Sequence, residues 1–247
     1  MTEMVLKCGG ASVNDEDVCT GETSLHLSIK KGNRSVVEVL LNYHCAVYYT
    51  DVRLAIELGE VDILRLLASR VPPFVNWGDS NGESPLFWAI DADQLAVVSF
   101  LLDRGANVYA VSGFAGDDAL SRAVAKASVH VVQRLLLQCG SPNILNRAVH
   151  PLLHLATRRG AADIVTVLLE FGGTAMLTNT DECGSTALHC SISPVVSALL
   201  LRHNEDLIQA IDKSGRTALH YAASKGWLLC AFPTNILNPH PPLLLLY

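Results

Sequence analysis

The chain of 247 residues is half apolar and 17% charged, which excludes disorder throughout, and its net charge of −6 argues against a nucleic-acid-binding face. Its seven cysteines contain no Cys-x-x-Cys pair and suit reduced thiols in an intracellular compartment, cytoplasmic or nuclear, rather than a disulfide framework. There is no secretory leader pattern, and no run reaches the ~18 apolar residues of a membrane span.

In chain order, a four-residue phrase recurs. It reads Thr23-Ser-Leu-His26, then a variant around Val52 in which Arg53 replaces the histidine, then Ser84-Pro-Leu-Phe87 and Asp118-Ala-Leu-Ser121. Pro151-Leu-Leu-His154, Thr186-Ala-Leu-His189 and Thr217-Ala-Leu-His220 follow. The third positions, from Leu25 to Leu219, are separated by 27, 34, 34, 33, 35 and 31 residues. A period of about 33 is the signature of a repeat array, in which each unit buries its apolar face against its neighbours.

Each unit predicts two short helices. Thr23, Ser84, Thr186 and Thr217 stand where a hydroxyl caps the first turn. Gly32, Gly59, Gly160 and Gly226 lie seven residues beyond the phrase's third position, where a left-handed residue ends the first helix. The second helix carries apolar pairs, as in Val36-Val37-x-x-Leu40-Leu41 and Ile164-Val165-x-x-Leu168-Leu169, which make one broad apolar face. Asp/Asn-rich turns such as Asp79-Ser-Asn-Gly82 and Asp212-Lys-Ser-Gly215 precede the phrases. In the sixth unit Pro194 falls early, which predicts a shortened first helix.

With these motifs in phase, the chain resembles the ankyrin-repeat family from about Met4 to Trp227. The resemblance implies an all-α ankyrin-repeat solenoid of helix–turn–helix units with projecting β-hairpin fingers. It also implies recognition of another protein through those fingers and the concave face of the inner helices. The expected organisation is a partial repeat over 1–20, about seven units over 21–227 and a non-repeat tail over 228–247. Pro233 falls inside the window of the last outer helix, at a cost of ~3 kcal/mol were it helical. Neither end supplies a polar capping unit, so the chain is expected to be a fragment or isoform of a longer protein. A monomer is expected, with association through uncapped ends.

Chemistry is expected to be absent: no catalytic motif, no cofactor and no metal set. His26, His154, His189 and His220 share one place in the phrase, which suits hydrogen bonds to neighbouring turns. The candidate partner contacts are therefore surface residues. Trp77 beside Asp79 and Asn81 is one group, since exposed tryptophan is a common energetic anchor. A second is the ends of the inner helices, where Glu57 and Asp91 interrupt the basic Lys126, Arg158 and Arg159 and could set the register of a charged partner. Phe114, in the link before the fourth unit, and the acidic turn Asp181-Glu182 complete the set. The functional expectation is a non-enzymatic adaptor. The alternative is the cytosolic ankyrin segment of a larger channel, scaffold or ubiquitin-ligase substrate adaptor.

Overall fold

The computed structural model describes residues 12–70, 74–112, 117–139 and 152–226. Among them there is no named strand. Two isolated antiparallel bridges, Glu16 with Thr23 and Val111 with Asp118, are the extended pairings found. The chain divides into two compact units, Met1–Ala119 and Leu120–Tyr247.

The first unit holds three helix pairs. They are α1 (Ser24–Lys30) with α2 (Arg34–Asn42), α3 (Tyr49–Glu57) with α4 (Val61–Arg70), and α5 (Pro85–Asp91) with α6 (Leu95–Asp103). The inner helices stack as α1 on α3 on α5, and the outer ones as α2 on α4 on α6. Helices of seven to ten residues are marginal alone, so packing must hold them. The apolar pairs supply it: Val37, Leu40 and Leu41 on α2, Ile63, Leu64 and Leu67 on α4, and Val97, Val98, Leu101 and Leu102 on α6 are buried. Each such side chain contributes about 1.5–3 kcal/mol relative to exposure.

The second unit is built from α7 (Ala119–Lys126), α8 (Val129–Cys139), α9 (Leu152–Arg158), α10 (Ala162–Gly172), α11 (Pro194–His203) and α12 (Ala218–Lys225). Outer helix α10 packs on both α8 and α11. In the sixth repeat the inner helix is reduced to the 3₁₀ turn Ala187–Cys190, which packs on α9 and α12. This is the shortening that Pro194 predicts. The proline opens α11 at its first turn, where its fixed φ and missing N–H cost nothing.

The residue seven beyond the phrase's third position is left-handed in six repeats. Gly32, Gly59, Gly160 and Gly226 have φ of 62°, 76°, 67° and 69°, and the same backbone is forced on Asp93 (53°) and Ala127 (59°).

The expected hairpin fingers are tight turns rather than strand ladders. In Asp79–Glu83, Asp181–Ser185 and Asp212–Arg216, the first residue's N–H donates to the last residue's carbonyl at 3.1, 3.0 and 2.9 Å. The aspartate Oδ1 then accepts two backbone amides inside each turn, at 2.8–2.9 Å. Arms this short close on the aspartate and leave no length for a ladder. The expected partial repeat over 1–20 is described only from Ser12. Phe114, the window containing Pro233 and the tail over 228–247 lie outside the described residues.

Candidate protein-binding site

The site follows from what the phrase does in the fold. In the sixth repeat the Thr186 N–H donates to His189 Nδ1 at 3.1 Å, so the ring's proton sits on Nε2. That Nε2 donates to the carbonyl of Arg216, in the turn of the next repeat, at 3.0 Å. His154 Nε2 reaches the Ser185 carbonyl at 2.7 Å in the same way. In the last repeat the Thr217 N–H donates to His220 Nδ1 at 3.2 Å. His189 thus both caps its own helix by reaching back and ties its repeat to the following turn, while His154 shows the tie and His220 the reach-back.

Where the histidine is absent, the tie changes. Ser84 Oγ is buried with no hydrogen-bond partner, and Phe87 occupies the histidine's place. The expected capping by the Ser84 hydroxyl does not form, and without a ring nitrogen Phe87 cannot make the reach-back that His189 makes. In the second repeat the cap slides two residues earlier. Asp51 Oδ2 accepts the Tyr48 N–H at 2.9 Å, and Asp51 Oδ1 lies 3.1 Å from His26 Nδ1. Asp51 therefore does the reach-back at the start of α3 and leaves Arg53, in the phrase's fourth place, without a capping role.

Arg53 instead spans a cleft of about 510 Å³ between the start of α3 and the Asp79 turn. Tyr49, Arg53, Trp77, Asp79, Asn81 and Trp88 line it. The guanidinium lies 5.4 Å from the centroid of the Trp88 ring, donates to Glu57 Oε1 at 2.8 Å and stands 3.9 Å from Asp79 Oδ2. The Glu57 hydrogen bond, opposed by partial burial, raises the Arg53 pKa further. Trp77 is half-buried, held edge-on by Phe74 at 6.0 Å, while Tyr49 is 55% exposed. A second cleft of about 500 Å³, lined by Glu16, Glu22, His26, Tyr48, Tyr49 and Asp51, shares Tyr49 with the first. The expected group Trp77, Asp79 and Asn81 is thus assembled in one place. Arg53, Tyr49 and Trp88 join it, and only the loss of the phrase histidine at Arg53 marked that place in the sequence.

The remaining candidates are placed separately. Glu57 is exposed but held by Arg53, and Lys30, at the equivalent end of α1, is held by Glu22 at 2.7 Å. Asp91 is exposed at the end of α5. In the second unit Lys126 is exposed at the end of α7, and Arg158 and Arg159 at the end of α9. Asp181 uses its Oδ1 to close a turn, with exposed Glu182 beside it. Burial pushes the Cys45 and Cys190 thiols up, away from the reactive thiolate form. Among the described residues no group of three or more His, Cys, Asp or Glu could hold a metal ion. No helix among them is long and apolar enough to cross a membrane.

Ankyrin-repeat family profiles match residues 20–52, 49–112 and 120–200, so the chain belongs to the ankyrin-repeat family. That fold is a protein-interaction module and is generally non-catalytic. Among curated relatives, a probable E3 ubiquitin-protein ligase of rice, XBOS33, is 43% identical over 183 residues, covering 70% of this chain and 35% of that protein. The E3 ubiquitin-protein ligase KEG of Arabidopsis thaliana is 26% identical over 227 residues, covering 87% of this chain and 12% of that protein. The chain therefore spans about a third or less of either relative. Among solved structures, the ankyrin repeat domain of Bcl-3 superposes with a TM-score of 0.65 at 25% identity, covering 81% of this chain and 90% of that one. The human ASB11 ankyrin repeat domain shows the same fold, with a TM-score of 0.65 at 22% identity and coverages of 81% and 90%.

Proposed function

We propose that the chain acts as a non-enzymatic adaptor that binds another protein through the inner-helix ends and finger turns of its repeats. The observation that supports this most is the cleft around Trp77. There, exposed and half-buried aromatic faces lie beside charged groups at a position where the repeat's own tie is missing. An intracellular, cytoplasmic or nuclear, location fits free thiols and a repeat fold of this composition. Affinity capture with mass spectrometry, comparing the parent chain with a Trp77→Ala, Asp79→Ala, Asp91→Lys variant, tests the reading. Loss of specific proteins from the variant supports it. Equal retention of every captured protein overturns the assignment to this face.

A second reading makes the chain the recognition segment of a larger ubiquitin ligase. It is favoured by the 43% identity to a much longer probable ligase. A ubiquitylation assay on the full endogenous protein, with a captured partner as substrate, tests it. No ubiquitin transfer to that partner counts against it.

A further inference from the structure

Among the described residues, four carboxylates, those of Glu16, Glu22, Asp51 and Asp79, line the two clefts that meet at Tyr49; Glu22 is paired with Lys30 at 2.7 Å, the Asp51 side chain is 1% exposed beside His26, and Arg53 adds a guanidinium. That guanidinium is already engaged by Glu57. The joined surface is aromatic, with Tyr48 and Tyr49 about half exposed and Trp77 half-buried beside them, and among the described residues its carboxylates without a basic partner at hydrogen-bond distance are Glu16 and Asp79. Asp79, its side chain 10% exposed, accepts the Asn81 and Glu83 amides with Oδ1, while Oδ2 is ion-paired with Arg53 at 3.9 Å, beyond hydrogen-bond reach. Trp88, only 4% exposed and part of the cleft wall, buries its Nε1 with no hydrogen-bond partner. A buried orphan donor of this kind asks for an acceptor that the chain does not itself provide.

Arg53 shows which chemistry the cleft takes. A planar guanidinium stacks on an indole face and forks toward carboxylates, which a compact ammonium does less well. Resting on the module reading above, we propose that this cleft is a recognition subsite for an arginine side chain carried by an extended, basic segment of the partner protein. The incoming guanidinium sits between Tyr49 and Trp77 and takes Asp79 Oδ2 as its acceptor. Arg53 competes for the same carboxylate, and its displacement from the Trp88 ring brings the orphan Nε1 within reach of a carbonyl of the bound segment.

The test is fluorescence anisotropy of the full chain with a labelled nonapeptide alternating glycine and arginine, beside lysine and citrulline versions of it. The arginine peptide is expected to bind about tenfold tighter than the citrulline peptide and about threefold tighter than the lysine peptide. Trp77→Ala and Asp79→Asn are each expected to weaken it about tenfold; the asparagine retains Oδ1 and with it the turn. Arg53→Gln is expected to tighten binding about threefold by removing the internal competitor, whereas Arg202→Gln, on outer helix α11 of the other unit, leaves it unchanged. Equal affinity for the arginine and lysine peptides reveals attraction to any polycation and overturns the proposal. So does undiminished binding by Trp77→Ala, or weaker binding by Arg53→Gln. A chain that binds none of the peptides, yet still loses captured proteins in the triple variant, overturns the arginine subsite while leaving the adaptor reading intact.

Discussion

His26 Nδ1 lies 3.1 Å from Asp51 Oδ1, so the first repeat is joined to the second through a pair of side chains. The fifth and sixth repeats use a ring nitrogen and a backbone carbonyl instead. The Asp51 side chain is 1% exposed and also accepts the Tyr48 amide. Asp51→Ala is therefore expected to destabilise the first unit by about 2–3 kcal/mol, since it orphans a helix-start amide and the His26 ring together. Urea unfolding followed by circular dichroism measures it. A loss below about 0.5 kcal/mol would show that the pair holds nothing.

The phrase histidines are predicted to differ in worth according to burial. His189 is 3% exposed with both ring nitrogens engaged, whereas His220 is exposed. His189→Ala should cost about 2 kcal/mol, leaving the Thr186 amide and the Arg216 carbonyl unsatisfied, and His220→Ala less than about 1 kcal/mol. Hydrogen exchange at Thr186 gives a local reading, with faster exchange expected in His189→Ala.

Left-handed backbone gives a prediction of the opposite sign. Ala127 adopts φ 59° where four other repeats place glycine. Ala127→Gly should stabilise the chain by about 0.5–1 kcal/mol. Gly59→Ala should destabilise it by more than Gly226→Ala. A Cβ at Gly59 would stand 2.5 Å from Gln94 Oε1, while one at Gly226 meets nothing within 4 Å. Equal thermal midpoints for the two glycine variants would contradict this.

Acid should loosen the last turn. The backbone hydrogen bond from Arg216, aided by the Tyr221 hydroxyl and the Ser214 amide, holds the Asp212 carboxyl well below the usual carboxylate range against the opposing effect of burial. A depressed folded pKa stabilises the native state fully above the unfolded value near ~3.9, and that stability fades as pH falls below it. The second unit should therefore weaken between pH 5 and pH 2 by more in the parent than in Asp212→Asn. Unfolding midpoints of the two proteins across that range are the measurement, and parallel curves would refute it.

Much of the fold was legible because its determinants are local. Paired apolar residues at helical spacing, a glycine at a fixed offset and Pro194 each act within one or two turns of chain, so their pattern alone placed the helices and the shortened sixth repeat. How far the fingers extend was not legible, because whether an aspartate turn grows into strands depends on arm length and not on the turn residues. The histidine's second task escaped, since reaching back to its own threonine amide is a three-residue geometry that resembles an ordinary hydroxyl cap. The site was half visible. Trp77, Asp79 and Asn81 stood together in sequence, but Tyr49, Arg53 and Trp88 come from other helices and meet them only after stacking. Glu57 looked like a free acidic landmark, and only the fold reveals that Arg53, one helical turn earlier, engages it.

The ring-to-carbonyl tie also bears on how such an array can change over generations. A carbonyl is present whatever residue carries it, so a repeat joined by His154 or His189 tolerates almost any neighbour, and such units can be duplicated, deleted or exchanged without a matching substitution. The His26–Asp51 pair carries no such freedom, because each partner has value only while the other remains. The first two repeats are thus committed to one another and should be inherited as a block, whereas the units joined by His154 and His189 remain interchangeable parts.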